Sequence, residues 1–380
     1  MFAPFKRCTL ASLVLLTLGG HAYADQQVLI GLAGPLTGPS ARIGKDLENG
    51  AQLAIDAANA RHPKIGGEAV TYKLVSEDDQ SDPKTAVSVA QRLVDADVVG
   101  VVGHWNTGTS IPAARVYHDA GIAQVAPVAT GHAYTQQGFD TSFRIMGHDD
   151  DGGQVAGRYA LDTLKARRIA VIDDRTAFGQ GLADQFVKSV EAGGSTVIAR
   201  EYVDDKTADF SAVLTSIRAK NPDLVFFGGV DAQAAPLARR MKQLGIKATL
   251  MGAGGFVSQT FLSLAQKEGE GVIALEPGLA VEQMPGGQAF ARQYQERFHA
   301  PIELHAPFAY DGVGVLIAAL EKADSTDPER YLPVLRASQF QGVTGLISFD
   351  TEGNLKNPTF TVYQVKDNTW QPVSVAGGKP

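Results

Sequence analysis

The sequence predicts an α/β protein with two doubly wound, Rossmann-like lobes joined by a hinge of several strands. Three observations predict this fold: the length of the chain, the alternation of short β-rich runs with amphipathic helices, and a polar, glycine-rich break between two such sets. Removing residues 1–24 from the 380-residue chain leaves 356 residues. A single hydrophobic core usually divides beyond roughly 250 to 300 residues, so two lobes are expected.

The first 24 residues have the pattern of a secretory signal peptide. Lys6 and Arg7 form a positive start, the run from Leu10 to Leu18 is a short apolar core, and residues 22–24 read Ala-Tyr-Ala, a small-x-small cleavage site. This apolar run is too short to cross a hydrocarbon layer of about 30 Å as a helix. We therefore expect cleavage near Ala24 and an exported, soluble mature chain.

Cysteine usage and charge limit what the mature chain can do. The only cysteine, Cys8, lies in the predicted leader, so disulfides and a lipid anchor are not expected. The leader carries two of the 34 Lys and Arg residues and none of the 41 acids, so its removal changes the net charge from −7 to −9. An acidic balance disfavours nucleic acid as a partner and suits a monomer that stays in solution.

Short apolar runs rich in β-branched residues predict the strands, and segments of helical period separate them. Helices are predicted at 44–60, where an apolar stripe runs along one face, and at 178–192, which ends at a Gly-Gly pair. Strand-helix alternation of this kind predicts parallel sheets. The predicted strands are 27–32, 70–76, 98–103, 123–126, 142–146, 168–173, 196–200, 224–228, 249–252 and 272–275.

Two breaks divide these elements into lobes. The stretch 147–153 is polar and glycine-rich, and Glu276-Pro277-Gly278 forms a second boundary, so both are predicted crossings between lobes. Further helices near 286–299, 307–322 and 328–338 and strands at 346–350 and 359–365 follow. The prediction assigns 25–147 with 277–358 to an N-terminal lobe and 148–276 with 359–380 to a C-terminal lobe.

The sequence offers little to support an enzyme. It has no Gly-x-Ser-x-Gly elbow, no phosphate-binding Walker loop, no His-Glu-x-x-His pair and no thiol in the mature chain. The acidic runs 77–79 and 149–151 fit strand ends or helix N-termini better than a metal site, because a hard cation needs several converging oxygens. We expect no catalytic residues, no cofactor and no bound metal.

The segment 103–112 predicts an anion site. An apolar strand ends at Gly103, hydroxyl residues follow, and Pro112 marks the predicted start of a helix. Free backbone N–H groups and the positive end of that helix would face out from the carboxyl edge of the sheet, with Thr107 and Thr109 as added donors. The alternative is ordinary N-capping by Thr109 or Ser110.

A second strand end, 126–131, offers the same chemistry through Thr130 and free backbone donors. If both strand ends belong to one lobe, the segment 126–131 can converge with the segment 103–112, which carries Asn106 and Thr107. The sequence therefore predicts a cradle for a carboxylate.

Five segments together resemble the leucine/isoleucine/valine-binding periplasmic proteins, which are type I solute receptors of ABC importers. The likeness runs over nearly all of residues 25–366. It implies the type I periplasmic binding protein fold, a periplasmic location, a branched-chain amino acid or related small carboxylate as ligand, and an inner-membrane ABC permease as partner. The segments that carry it are 25–39, 103–110, 126–130, 174–183 and 227–229.

The resemblance also implies roles for individual residues. The ligand α-carboxylate would be held by Thr107 and Thr130 with the backbone at Val128, and Phe178 would cover the ligand from the second lobe. The side-chain pocket would be lined by Ile43, Trp105, Val230 and His305. For each of these four residues, plain core or rim packing is the alternative.

The chain departs from the family pattern where the amino-acid receptors present an acid to the ligand ammonium. This chain has Gly254 there. A buried ammonium without an anion costs several kcal/mol. Either Asp231 supplies the charge, or it only caps a helix and the ligand has no ammonium. The alternatives are therefore a receptor for an aromatic or aliphatic carboxylate or an amide, and a ligand sensor that is not coupled to transport.

Overall fold

The computed structural model describes residues 26–378, so the predicted leader lies outside the described part. The strands in chain order are β1 (Gln26–Gly34), β2 (Lys64–Ile65), β3 (Glu68–Asp78), β4 (Gly100–Gly103), β5 (Ala123–Ala126), β6 (Ser142–Arg144), β7 (Arg168–Asp173), β8 (Thr196–Tyr202), β9 (Leu224–Gly228), β10 (Thr249–Ala253), β11 (Ile273–Pro277), β12 (Phe340–Gln341), β13 (Leu346–Ile347), β14 (Thr359–Lys366) and β15 (Thr369–Gly377). The helices are α1 (Ala41–Asn59), α2 (Pro83–Asp95), α3 (Thr107–Asp119), α4 (Asp149–Arg158), α5 (Ala177–Ala192), α6 (Ser211–Ala219), α7 (Asp231–Gln243), α8 (Gln259–Ala265), α9 (Gly287–Phe298), α10 (Ala306–Ala323) and α11 (Pro328–Arg336).

The first lobe is built on a six-stranded sheet in the order β2-β3-β1-β4-β5-β6, parallel except for β2. Side chains of β1 alternate between the two faces. Ile30 packs with α1, α10 and α11 in the larger core, whereas Ala33 packs with α2 and α3 in a smaller one. Helices on both faces of a parallel sheet confirm the predicted doubly wound architecture.

The second lobe repeats the plan on seven strands in the order β15-β14-β11-β10-β9-β7-β8. Strand β9 shows the alternation again, because Phe227 packs with α6, α7 and α8 while Phe226 packs with α4 and α5. Strand β14 runs antiparallel to β11, and β15 pairs antiparallel with β14 and forms one edge of the sheet. Strand β15 contains Pro372 and exposed positions, so its sequence gave no strand signal.

Three segments cross between the sheets: 145–148, 278–280 and 348–358. The predicted crossing at 147–153 is wrong in its second half, because α4 begins at Asp149. The acids 149–151 therefore fill the first turn of that helix, where negative charge is favourable. Helices α10 and α11 pack on the first sheet, as their position after the second boundary predicted.

Two further predictions of local structure are wrong. Helix α3 begins at Thr107, five residues before Pro112, because Asn106 has extended dihedrals and its carbonyl accepts from Ser110 N at 3.0 Å. The strand predicted at 346–350 pairs only at its first two residues, after which Phe349 forms an isolated bridge with Leu355.

The two lobes touch each other across the space between them. Val230, at the start of α7 in the second lobe, packs against the larger core of the first lobe. Helices α3 and α5 also come within 8 Å of each other at their Cα atoms. Among residues 26–378 no helix is long and apolar enough to cross a membrane.

Candidate ligand-binding cleft

A cleft of about 920 Å³ lies between the lobes and is lined by both. It opens at the carboxyl ends of the parallel strands, where ligands of doubly wound sheets usually bind. Nine of the eleven residues predicted for the site line it. They are Trp105, Asn106, Thr107, Val128, Thr130, Phe178, Val230, Gly254 and His305. Their contact with a ligand stays a prediction.

The first lobe presents the N-terminus of α3 to the cleft. Asn106 is the N-cap, and its side-chain oxygen is buried without a hydrogen-bond partner among the described residues. Because Ser110 N makes the first intrahelical bond, the N–H groups at 107–109 have no acceptor within the helix. These donors and the positive helix end favour a negatively charged group.

The two predicted loops do converge, and one hydrogen bond joins them. Gly131 N donates to Thr107 Oγ1 at 3.0 Å, which uses one acceptor position of that hydroxyl and leaves its proton available for donation. Thr109 differs from the prediction, since its hydroxyl donates to Asn106 O at 3.0 Å and the residue does not line the cleft.

Only glycine fits at position 131. A Cβ atom built there would lie 2.2 Å from Cγ2 of Thr107, although the backbone φ of −60° is ordinary for any residue. Gly131→Ala should therefore displace Thr107 and weaken ligand binding by about 1 to 3 kcal/mol, the cost of losing one hydrogen bond to a carboxylate. Calorimetric titration measures this loss.

The rescue variant tests the cause of that loss. Adding Thr107→Ser removes the colliding methyl group and keeps the hydroxyl, so the double variant should regain most of the affinity. Gly181→Ala serves as the control, because a Cβ atom at that position meets nothing within 4 Å. Equal affinity in the single and double variants would show that the loop does not act through Thr107.

A buried arginine supports the loop that carries Thr130. Arg144 donates to Gly131 O at 3.1 Å and to Thr135 Oγ1 at 3.0 Å, and its side chain is wholly buried. Burial lowers the pKa of Arg144 to about 10, so it keeps its charge at neutral pH. Burial raises the pKa of Asp149 to about 7, against the opposing effects of Thr130 and Arg144. Asp149 N in turn donates to Thr130 O at 2.9 Å.

A wall without charge is formed by Trp105 and His305, whose ring centroids lie 6.4 Å apart. Burial lowers the pKa of His305 to about 4, so its imidazole is neutral at physiological pH. The turn before α10 is held by the carboxylate of Asp46, which accepts from the backbone N–H groups of His305 and Ala306 at 2.9 and 2.8 Å. This neutral wall suits an uncharged side chain of a ligand.

The second lobe contributes an aromatic cover. Phe178 lies in the first turn of α5, which begins with Thr176 as N-cap, its Oγ1 accepting from Gly179 N at 2.9 Å. Gly254 has a φ of +62°, and a Cβ atom there would lie 3.0 Å from Phe178 Cζ. The missing side chain at position 254 thus lets the ring of Phe178 approach that loop.

Glu276 lines the cleft, and sequence reasoning missed it. It lies on β11, is only 1% exposed, and accepts from three successive backbone N–H groups. Those of Gly255 and Phe256 lie 2.9 Å away and that of Val257 3.1 Å. Burial raises the pKa of Glu276 to about 7. The available signal was a single charged residue at the end of an apolar run beside the 254 loop.

Two predicted residues lie outside the cleft. Ile43 lies in the first turn of α1, packs in the larger core of the first lobe and is 7% exposed. Asp231 is the first residue of α7, after the N-cap Val230, and its carboxylate accepts from Ser258 Oγ at 2.5 Å and from Ala232 N at 2.7 Å. It therefore follows the N-cap as a first-turn acid rather than facing the ligand space.

Comparison with known families identifies the class of protein. The model of the periplasmic binding protein family matches residues 27–369. The chain belongs to this family. This periplasmic binding protein is 34% identical over 355 residues to the leucine-, isoleucine-, valine-, threonine- and alanine-binding protein of Pseudomonas aeruginosa, covering 93% of this chain and 94% of the relative.

Solved structures agree on the fold of this periplasmic binding protein. The leucine-binding protein LivK of Thermotoga maritima superposes with a TM-score of 0.84 at 25% identity, covering 92% of this chain and 98% of that one. LivJ of Streptococcus pneumoniae, a branched-chain amino acid transporter substrate-binding protein in complex with isoleucine, gives 0.83 at 25% identity and covers 93% and 100%. The resemblance seen in the sequence and the predicted fold class are confirmed.

Proposed function

We propose that this protein is the solute-binding component of an ABC importer and that it binds a branched-chain amino acid or a related small carboxylate between its lobes. The observation that carries the proposal is the donor cradle at the start of α3, where Thr107 and Gly131 join two loops at the cleft. The names of relatives that span nearly the whole chain support the same ligand class.

In this proposal the ligand carboxylate lies against the first turn of α3, with Thr107 and Thr130 as hydroxyl donors and Asn106 and the backbone at Val128 beside them. The ligand side chain packs on Trp105 and His305, a wall without charge. Phe178 and Val230 cover the ligand from the second lobe when the lobes close. Excluding water strengthens the hydrogen bonds to the carboxylate.

The proposed cycle of ligand binding, lobe closure and docking follows from the two-lobed shape. Ligand favours the closed arrangement because only there do both lobes contact it, and the closed form docks on an inner-membrane permease. The proposal includes removal of residues 1–24 during export, a monomer in the periplasm, and binding without catalysis. It keeps the predicted lobe bounds of 25–147 with 277–358 and 148–276 with 359–380.

A ligand panel tests the proposal. Because a ligand that binds only the folded state raises the melting temperature, thermal shifts with amino acids, 2-oxo acids, benzoates and amides rank the candidates. Calorimetry then gives the affinity, which for a scavenging receptor should be about micromolar or better. Uptake into vesicles that carry the permease separates transport from sensing. No binding by any carboxylate would refute the proposal.

Thr107→Val should weaken binding by about 1 to 3 kcal/mol, because a carboxylate oxygen and Gly131 N each lose a partner. Calorimetric titration of the best ligand measures the change. Thr109→Val is the matched control, since that hydroxyl donates to Asn106 O and Thr109 does not line the cleft. A larger loss for the control than for Thr107→Val would move the carboxylate away from this loop.

A further inference from the structure

We propose that Glu276 binds the α-ammonium group of the ligand, so that this receptor selects zwitterionic α-amino acids over their deaminated analogues. The inference rests on the proposed function, because it places a second ligand group in the same cleft. It answers the question raised by Gly254, where the sequence lacks the acid that amino-acid receptors use.

The position of Glu276 is the first support. Strands β10 and β11 are parallel neighbours, with Ala253 opposite Leu275, and Gly254 N donates to Leu275 O at 2.8 Å. The next residue on each strand is therefore Gly254 on one and Glu276 on the other. An acid at position 276 lies at the same end of the sheet as an acid at position 254 would.

Hydrogen bonding leaves one oxygen of Glu276 available. Oε1 accepts from the backbone N–H groups of 255, 256 and 257, whereas Oε2 accepts only from that of Gly255. A carboxylate oxygen has two acceptor sites, so Oε2 can take a further donor. The three N–H groups also fix the carboxylate in place before the ligand arrives.

No cationic side chain among the described residues pairs with Glu276 within 4.0 Å. A carboxylate that is 1% exposed and lacks a counter-charge is costly, and burial raises its pKa for that reason. A ligand ammonium would supply the missing charge. Asp231 does not take this place in the present arrangement, because its carboxylate is directed to Ser258 and Ala232 and it does not line the cleft.

The two walls of the cleft then have opposite electrostatic character. The first lobe presents donors and the positive end of α3, and the second lobe presents the carboxylate of Glu276. An α-amino acid carries both complementary charges on groups attached to one carbon atom. A 2-oxo acid or a benzoate would place a neutral group against Glu276.

The decisive experiment compares amino acids with their 2-oxo analogues in Glu276→Gln. We expect the affinity for L-leucine, L-isoleucine or L-valine to fall about 30-fold, since hydrogen bonds to charged groups contribute about 1.5 to 3 kcal/mol. The affinity for the 2-oxo acids should stay the same or rise. Equal losses for both classes of ligand would overturn the proposal.

Two further variants complete the design. Glu282→Gln removes one negative charge from an exposed position outside the cleft and should leave the preference unchanged. Asp231→Asn tests the rival acid, and a selective loss for amino acids there but not in Glu276→Gln would also overturn the proposal. Circular dichroism and the melting temperature check that each variant is folded.

The pH dependence of the unmodified protein needs no variant. An ammonium ligand lowers the pKa of Glu276 from its free value of about 7, so affinity is highest above pH 7 and falls up to tenfold per unit below it. The 2-oxo acids should show the opposite trend or none. The neighbouring titratable groups are Asp231 on α7 and Tyr363 on β14, and the other charged groups of the cleft are Asp82, Asp174, Arg175, Asp204, Asp205 and Lys206.

The outcomes separate this proposal from the one before it. Binding of no carboxylate, whether amino acid, 2-oxo acid or benzoate, refutes the proposed function itself. Tight binding of 2-oxo acids with rejection of amino acids keeps the receptor and its carboxylate cradle but refutes the role of Glu276. An affinity for amino acids that does not change between pH 8 and pH 5.5 refutes that role as well.

Discussion

Arg144→Leu should lower the free energy of unfolding by about 2 to 6 kcal/mol, because two buried acceptors lose their donor and each costs about 1 to 3 kcal/mol. The variant leaves Gly131 O and Thr135 Oγ1 without this donor and removes the positive charge that lowers the pKa of the buried Asp149. Because those groups hold the loop of Thr130, ligand affinity should fall too. Urea denaturation followed by calorimetric titration measures both effects.

The same variant predicts a change with pH. Without Arg144 the pKa of Asp149 rises further above 7, and an acid with a raised folded-state pKa loses stability as pH increases towards that value. The destabilisation should therefore be larger at pH 8 than at pH 6. Arg336→Leu is the control, since this partly exposed arginine also donates to two backbone carbonyls. Similar losses for both arginines would contradict the argument from burial.

Asp46→Ala should cost about 3 to 5 kcal/mol of folding stability as well. The substitution leaves the buried N–H groups of His305 and Ala306 without an acceptor, and each such group costs about 1 to 3 kcal/mol. The hydroxyl of Tyr294, which donates to Asp46 at 3.0 Å, loses its acceptor too. The turn that presents His305 to the cleft would loosen, so affinity for an apolar side chain should also fall.

Helix α1 offers a matched control for this prediction. Asp56 accepts from Arg297 of α9 at 3.0 Å, much as Asp46 accepts from Tyr294 of the same helix, but its side chain is 37% exposed. An exposed ion pair contributes about 0 to 1 kcal/mol, so Asp56→Ala should cost little. Chemical denaturation of both variants measures the two losses of folding stability. A loss for Asp46→Ala no larger than that for Asp56→Ala would contradict the prediction.

The central strands of the two sheets were predictable because they are buried apolar runs between helices of clear period. Strands 123–126, 168–173 and 224–228 have the predicted bounds. The elements that were missed have weaker signals. Strand β15 is a mostly exposed edge strand that contains a proline, and its place depends on pairing with β14 rather than on its own composition.

The cleft, like the fold, has features that the sequence predicted and features that it missed. The convergence of Thr107 and Thr130 followed from two strand ends that share one sheet edge, which is a property of topology. The direction in which a carboxylate side chain points is not a property of topology. Asp231 follows one apolar strand of the second lobe, and Glu276 lies near the end of another. Only the structure shows that the Asp231 carboxylate accepts from Ser258, whereas Glu276 lines the cleft.

The hydrogen bond from Gly131 N to Thr107 Oγ1 also affects how the cleft would bind a ligand. Gly131 N uses one of the two acceptor positions of the Thr107 hydroxyl, and its proton remains available for a negatively charged acceptor. The bond also holds the Thr107 side chain in place before any ligand arrives. In the proposed function, a donor that is already ordered lowers the entropic cost of binding, which favours capture at low solute concentration.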